Sequence, residues 1–338
     1  MKMNLAWPKR CLPALPGVLV TAMVTAAMTL AVTVAHAQTP YPVKPIRVIV
    51  GIAPGSVTDI VMRAVAQELA PRLGQPLVIE NRPGGNMIIG ADACAKAAPD
   101  GYTICVLGVD ALSSNVHTID KLPYDPERDL KPVTNLFYVL EALVVNPAVP
   151  VNNVAELRAL AIAKPGTLNF GTLGPDSSPD IFLGWLRDQW KADMTAVPYK
   201  GGGPIATAVM AGEIQLSTMG LGNFAGGIEG GKLRALAVGG SKRLARFPDV
   251  PTWAEAGLGA YAVRPWWGLV VPAGTPDALV GRLNAEFTRL FAEPKFNEFL
   301  AGRFLDPATS SVDAFAAFLK ADRERAGQIL RAAKPSRR

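Results

Sequence analysis

The sequence predicts an α/β fold, with two lobes each built on a mostly parallel sheet flanked by helices. Three observations predict it. Short apolar runs dense in β-branched residues recur along the chain, as strands buried on both faces require. Between them apolar residues fall at helical spacing, so strands and helices alternate as right-handed βαβ units. The rhythm stops at a proline-rich stretch, residues 123–132, and restarts after a long apolar run, giving two series in a chain of 338 residues.

The first unit organises the rest. Pro45-Ile46-Arg47-Val48-Ile49-Val50-Gly51-Ile52 reads as a buried strand, and Pro54-Gly55-Ser56 breaks it. Thr58 or Asp59 is expected to cap a helix that buries Val61, Val65 and Leu69. Residues 76–81 form the second strand and Arg82-Pro83-Gly84-Gly85-Asn86 its turn. A helix carrying Ile88, Ala91 and Ala95 follows, then a third strand over 102–108. Residues 133–146 predict one long strand passing between lobes. In the second series Asn152 or Asn153 caps a helix over Val154–Ala163. Strands are expected at 168–172, 195–199, 214–219 and 233–238, with helices over 181–190 and from Pro204, well placed as a first helical residue. Trp266–Pro272 returns to the first lobe, and helices over 276–292, 294–302 and 311–333 complete the chain.

The first 37 residues stand apart. Lys2, Lys9 and Arg10 precede a charge-free apolar run, residues 12–34, and Ala35-His36-Ala37 is a small-x-small cleavage site. This is the pattern of a secretory signal peptide over 1–37, against the alternative of an uncleaved anchor. Cys11 lies before the apolar run, which argues against a lipid attachment. Cleavage takes the formal charge from +6 to +3. The basic residues are scattered and show no aromatic-interleaved stripe, which disfavours nucleic acid. The tail Lys334-Pro335-Ser336-Arg337-Arg338 reads as a frayed end.

Cys94 and Cys105 remain after cleavage, as a disulfide that an oxidising compartment permits or as two buried thiols. His117 is the one histidine left, in a stretch that reads as a polar loop. With no histidine cluster, no CxxC, no G-x-S-x-G elbow and no P-loop, neither a metal nor a cofactor is expected. An exported hydrolase or lyase is disfavoured on the same ground.

Three strand-to-helix junctions share one design: Pro54-Gly55-Ser56-Val57-Thr58-Asp59, Gly174-Pro175-Asp176-Ser177-Ser178, and Tyr199-Lys200-Gly201-Gly202-Gly203-Pro204. Each places glycine or hydroxyl residues ahead of a helix, where unpaired N–H groups and the helix dipole suit a carboxylate. Ser177 and Ser178 read equally as caps or as ligand contacts. Asp59 reads as a cap before a base, and Lys200 as a solvated lysine. Trp266 and Trp267 read as core or interlobe packing. Asp110 and Asp180, near strand ends, either meet an amine or hydroxyl of a ligand or face water.

Several blocks carry a resemblance. They include Tyr41-Pro42-Val43-Lys44-Pro45-Ile46-Arg47, Ala53-Pro54-Gly55 with Thr58-Asp59, and Glu80-Asn81-Arg82-Pro83-Gly84. Further on stand Ala97-Ala98-Pro99-Asp100-Gly101-Tyr102-Thr103, Val197-Pro198-Tyr199-Lys200-Gly201-Gly202 and Pro272-Ala273-Gly274-Thr275-Pro276. In this order they resemble the substrate receptors of the tripartite tricarboxylate transporter family, the Bug-type periplasmic binding proteins.

The resemblance implies a type II periplasmic-binding-protein (Venus-flytrap) fold and no enzymatic activity. It implies a small carboxylic or amino acid as ligand, delivered to inner-membrane permease subunits from the periplasm. Lobe 1 would comprise 38–143 with 265–338, lobe 2 144–264, and the receptor is expected to be a monomer. A sensing lobe that presents its ligand to a signalling receptor is the alternative. By the resemblance, backbone N–H groups and water hold the carboxylate at 54–59 and 172–180. The expected ligand set is Pro54, Gly55, Ser56, Val57, Thr58, Asp59, Asp110, Thr172, Ser177, Ser178, Asp180 and Gly201. Two departures stand out. Ser56-Val57 replaces further glycines, so Val57 narrows the pocket, and Asp180 stands where histidine is common, which would repel an acidic ligand. Met219 also replaces a position that is often acidic or polar.

Overall fold

The computed structural model describes residues 41–333 other than 200, 241, 260, 262 and 263. The segment read as a signal peptide, Lys200 and the basic tail lie outside the described residues. Two mixed sheets carry the fold, one of six strands and one of five.

The six-stranded sheet begins with three parallel strands. β1 (Ile46–Val50) pairs with β2 (Leu77–Asn81) on one side and β3 (Thr103–Gly108) on the other. Helix α1 (Val57–Leu73) connects β1 to β2, and α2 (Ile88–Ala95) connects β2 to β3. The run Ile46, Val48, Ile49 and Val50 is fully buried, as a strand covered on both faces must be. Helix α1 is capped by Ser56, not by Thr58 or Asp59. Ser56 is the last extended residue (ψ 158°), so its hydroxyl faces the first turn and accepts the Asp59 amide.

Cys94 of α2 and Cys105 of β3 form a disulfide inside a buried cluster with Ile49 and Leu107, which decides between the two expected states of the pair. Beyond β3 the chain makes a π-helical turn (Asp110–Ser114) and the short helix α3 (Asn115–Thr118), where the sequence predicts a loop. His117 lies in α3 with Nε2 2.8 Å from the Arg323 carbonyl, which accounts for it structurally.

The expected single long strand is two. β4 (Leu130–Val139) lies in the six-stranded sheet and β5 (Glu141–Val145) in the other. Leu140 alone separates them, its N–H donating to the Phe304 carbonyl and its carbonyl accepting the Leu221 amide. The chain thus changes sheet in one residue, without losing its backbone hydrogen bonds.

The second sheet contains β7 (Thr195–Pro198), β6 (Asn169–Thr172), β8 (Leu216–Gly220), β5 and β9 (Arg234–Val238), in that order. β6 runs parallel to β7 and β8, and β5 antiparallel to β8 and β9. Its helices are α4 (Val154–Ala163, capped by Asn153), α5 (Ser178–Trp190), α6 (Gly202–Ala211) and the short α7 (Ala225–Glu229). α6 starts at Gly202 rather than Pro204. Leu143 and Val145 pack on one face of this sheet with Phe182, Leu183 and Tyr261, while Ala142 and Val144 pack on the other with Ile205 and Phe224. That alternation fixes the register of β5.

The return strand β10 (Trp266–Pro272) lies antiparallel between β3 and β4. Trp266 and Trp267 are both buried in it, and the Trp266 indole donates to Asp322 at 3.0 Å. Helices α8 (Asp277–Ala292) and α9 (Pro294–Ala301), strand β11 (Leu305–Pro307) and helix α10 (Val312–Ala333) finish the chain. Strand β11 has no counterpart in the sequence-based expectation; it pairs with β4 beside the crossing. Among the described residues no helix is long and apolar enough to cross a membrane.

Candidate functional site

In open α/β sheets ligands lie beyond the carboxyl ends of the strands. Here those ends are Val50, Asn81 and Gly108 in one sheet, and Thr172 and Gly220 in the other. The first two expected ligand loops sit there, and they are built alike.

In the first loop Gly55, at φ 79°, donates its amide to Asp59 Oδ2 at 2.9 Å, and Ser56 caps α1. In the second, Asp176, at φ 64°, donates its amide to Asp180 Oδ2 at 3.0 Å, and Ser177 occupies the cap position of α5. A carboxylate three residues into the helix reaches back to the residue before the cap, a variant of the capping box. Each helix start is therefore held rigid by its own aspartate.

Asp59 is nearly inaccessible and fully engaged. Arg63 and Asn81 donate to its carboxylate at 3.0 Å, in addition to Gly55. Burial pushes its carboxyl up, but Arg63, the Gly55 amide and Asn81 together hold it below its ordinary value. The Ser56 amide is taken by the Ala53 carbonyl and the Asp59 amide by Ser56 Oγ. That leaves the Val57 and Thr58 amides of the first turn without a protein acceptor among the described residues. Pro54 and Gly55 are exposed, Val57 is half-buried and Thr58 is buried.

In the second loop the Ser177 hydroxyl does not cap; it donates to the Gly174 carbonyl at 2.6 Å. Thr172 is buried, and its hydroxyl accepts the Gly174 amide at 3.3 Å. Ser178, the first residue of α5, points its Oγ at Asp110 Oδ1, 3.5 Å away at the outer limit of a hydrogen bond. This contact joins the two sheets' strand ends, since Asp110 opens the π-helical turn after β3. Such turns are frequent at functional sites. Tyr124 fixes this one by donating to the Ala111 carbonyl at 2.7 Å, and Asn115 by donating to the Asn86 carbonyl at 3.0 Å. A small recess open to solvent borders Ser178, walled by Val109, Ile181 and the α10 residues Asp322 and Arg325.

The third loop places Gly201 at the cap of α6 in extended conformation, and a side chain on Gly202 would strike Asn223. Its neighbour Lys200 lies outside the described residues, and among the described residues no hydrogen bond ties Gly201 to the other two loops.

Two groups that the sequence does not point to feel the charge of Asp110. Glu141 is the first residue of β5 and only 8% exposed. By the alternation of β5 it shares a face with Leu143 and Val145, the face that carries α5 and Tyr261. No donor reaches its carboxylate among the described residues. Burial, then the Asp110 charge, pushes its carboxyl up to about 8. Asp110 is itself pushed up to about 6 by burial, against the opposing pull of Ser178. The second group is the buried Tyr261 phenol, raised well above its ordinary value by burial and by both carboxylates. No lysine or arginine compensates either acid among the described residues.

A sequence profile described as the tripartite tricarboxylate transporter family receptor matches residues 61–334. Among curated proteins the chain is 31% identical to Protein BugT of Bordetella pertussis over 292 residues, covering 86% of this chain and 90% of that one. Among solved structures it is similar to Rpa4515 of R. palustris with adipate, at a TM-score of 0.80 and 28% identity, covering 87% of this chain and 98% of that one. It is also similar to MatC (Rpa3494) from Rhodopseudomonas palustris with bound malate, at a TM-score of 0.76 and 30% identity, covering 86% and 99%. Family and fold are those of periplasmic solute-binding receptors. The chain belongs to the tripartite tricarboxylate transporter family of receptors.

Proposed function

We propose that this chain is an extracytoplasmic receptor that captures a small carboxylic acid or amino acid between its lobes and hands it to permease subunits of a tripartite tricarboxylate-type transporter. The lobes are 38–140 with 265–338, and 141–264, taking the change of sheet at Leu140 in place of the boundary after 143 that the sequence suggests. Export follows cleavage after Ala37, and no chemistry is performed on the ligand.

The observation that carries the reading is the pair of matched helix starts. Each is locked by an aspartate at the carboxyl end of a sheet, and the second reaches the π-helical turn beyond β3 of the other sheet through Ser178 and Asp110. Amides held this way bind an anion without reorganisation, and the helix dipole adds to them. Two structural relatives were solved with dicarboxylic acids, adipate and malate, which fits such a grip. In this reading Val57, Thr58 and Ser178 touch the ligand through their amides. Asp59 and Asp180 position the loops, with Pro54, Gly55, Ser56, Thr172 and Ser177 shaping them, and Gly201 closes the pocket floor. Ligand binding favours the state that makes contacts from both lobes.

The test removes one amide. Proline is tolerated at the first helical residue, and Ser56 is already extended as the residue before proline must be. Val57→Pro therefore deletes an N–H while keeping the helix, and Val57→Ala controls for the side chain. The ligand is first identified by mass spectrometry of solutes that survive native purification. Loss of one hydrogen bond to a charged group, about 1.5–3 kcal/mol, predicts roughly 10- to 100-fold weaker binding for Val57→Pro alone. Equal affinities for the proline and alanine variants refute the main-chain grip.

A further inference from the structure

Asp110 and Glu141 lie where an anion receptor has least use for them. Asp110 follows the carboxyl end of β3. Glu141 opens β5 at the edge where β8 ends, opposite Gly220, and β9 ends beside it. Both edges are the ligand-facing edges of their sheets, and Ser178 ties Asp110 to the α5 face on which Glu141 stands.

A buried carboxylate needs hydrogen-bond donors or a cation, or it carries an uncompensated desolvation cost. Two other acids of the described residues, the buried Asp59 and the half-buried Asp322, have them. Asp59 has Arg63, Asn81 and the Gly55 amide, and Asp322 has the Trp266 indole. Glu141, at 8% exposure, has no donor among the described residues, and Asp110 has only the long Ser178 contact. On the face of β5 that Glu141 shares, Tyr261 packs its ring edge-on against Phe182, 4.8 Å between centroids, which makes that face an aromatic wall. The proposed cleft thus offers amide donors on one side and two carboxyl groups on the other, with no cation among the described residues to balance a charge on either.

We propose that the interlobe cleft takes a zwitterion, a small acid that also carries a cationic nitrogen, and that Asp110 and Glu141 hold that nitrogen. The inference rests on the receptor reading and adds the charge of the ligand. An ammonium supplies the three donors and the positive charge that the two carboxylates lack. The ligand's own carboxylate faces the helix starts. A plain dicarboxylate in the same position would set an anion against the Asp110 carboxylate, a repulsion that strengthens as water is expelled, and would leave Glu141 without the cation that favours its ionised form. The side chains here thus select against the ligand type that amides alone would accept.

The test compares matched acids on the full exported chain, dialysed free of bound solute: L-aspartate with succinate, L-glutamate with glutarate, 4-aminobutyrate with butyrate. Calorimetric titration at neutral pH is expected to show the amino member of at least one pair binding about tenfold or more tighter than its deaminated partner. Glu141→Gln and Asp110→Asn are each expected to cut that preference about fivefold or more, mainly by weakening the amino member. Val57→Pro lowers both members alike, which separates the amide grip from the acid pair. Deaminated acids binding as well as or better than their amino partners in the native chain overturn the inference and leave the receptor reading standing. The inference fails in the same way if both variants fold and keep the native preference. Binding of no member of any pair, with no acid retained through native purification, overturns both.

Discussion

Glu141→Gln in the ligand-free protein tests the electrostatics directly. The side chains have nearly the same shape, so the substitution removes the charge and little else. In the fold the carboxyl is pushed up to about 8 by burial and by Asp110, from an ordinary value of 4.5. A folded value above the unfolded one means that the native state keeps its proton while the unfolded chain has lost it. Stability contributed by this group is therefore complete below about pH 4.5 and falls as pH rises towards 8. The slope is about 1.4 kcal/mol per pH unit for one proton. Asp110 contributes a slope of the same sign, concentrated below about pH 6, where its own carboxyl ionises.

Between pH 6.5 and 8 the difference between native and variant protein isolates Glu141. Over that window the variant is expected to gain roughly 2 kcal/mol on the native chain. For a chain of this length that is a relative rise of about 4 °C in Tm. Thermal or urea unfolding at half-unit pH steps measures it, and groups common to both proteins cancel in the difference. A flat difference curve would show that the folded carboxyl is already ionised, hence paired, and would refute the uncompensated acid on which the zwitterion assignment rests.

Three further outcomes follow. The disulfide closes a short loop, with a sequence separation of 11; Cys94→Ser with Cys105→Ser should cost about 3 kcal/mol in urea unfolding, and addition of reductant to the native chain should reproduce the loss. Asp59→Asn weakens the acceptor that serves Gly55, Arg63 and Asn81; a loss of about 1–3 kcal/mol is expected near neutral pH, vanishing as pH falls through the lowered folded value, where the native aspartate protonates. A side chain at Gly90 would stand 3.0 Å from Gly51 Cα and 3.1 Å from the Arg82 carbonyl; Gly90→Ala should cost about 1–3 kcal/mol by forcing α2 off β1, and a change in Tm below about 1 °C would show that the backbone yields freely.

The sequence carries the helix starts well and the acid pair poorly, for physical reasons. Ser-x-x-Asp after a residue able to adopt positive φ is a local pattern, and it occurs as Gly55-Ser56-Val57-Thr58-Asp59 and again as Asp176-Ser177-Ser178-Pro179-Asp180. Local hydrogen bonds decide it, so nearby residues suffice to read it. The cap of α1 still lies two or three residues before its expected place, because Ser56, Thr58 and Asp59 are all competent caps and only the extended ψ at Ser56 chooses. Glu141 depends instead on long-range pairing. It stands in a run, residues 133–146, in which it is the one charged residue. That isolation is the available signal, but the run reads as one strand. Only the change of sheet at Leu140 puts Glu141 at a strand beginning. Tyr261 has no periodic context and is placed by packing against Phe182 and Trp185.

The position of Glu141 also bears on how occupancy reaches the hinge. Leu140 is tethered to both halves of the molecule by its own peptide groups, through Phe304 on one side and Leu221 on the other. Glu141 is the next residue, and its carbonyl accepts the Gly239 amide, at the start of the second connection back towards β10. A group bound at Glu141 is thus one peptide unit from each segment that joins the sheets. On the receptor reading proposed above, a rotation of one lobe against the other turns about these segments, beside Glu141. On the same reading, ligand contacts that span this crossing depend on the state of the lobes, which is the condition for a ligand to shift a two-state equilibrium. Contacts at the far loops, each internal to one rigid helix start, are much less so until both are engaged. On the proposed reading the amides supply affinity for an acid, and Glu141, one residue from the change of sheet, couples the ligand's second charge to the relative position of the lobes.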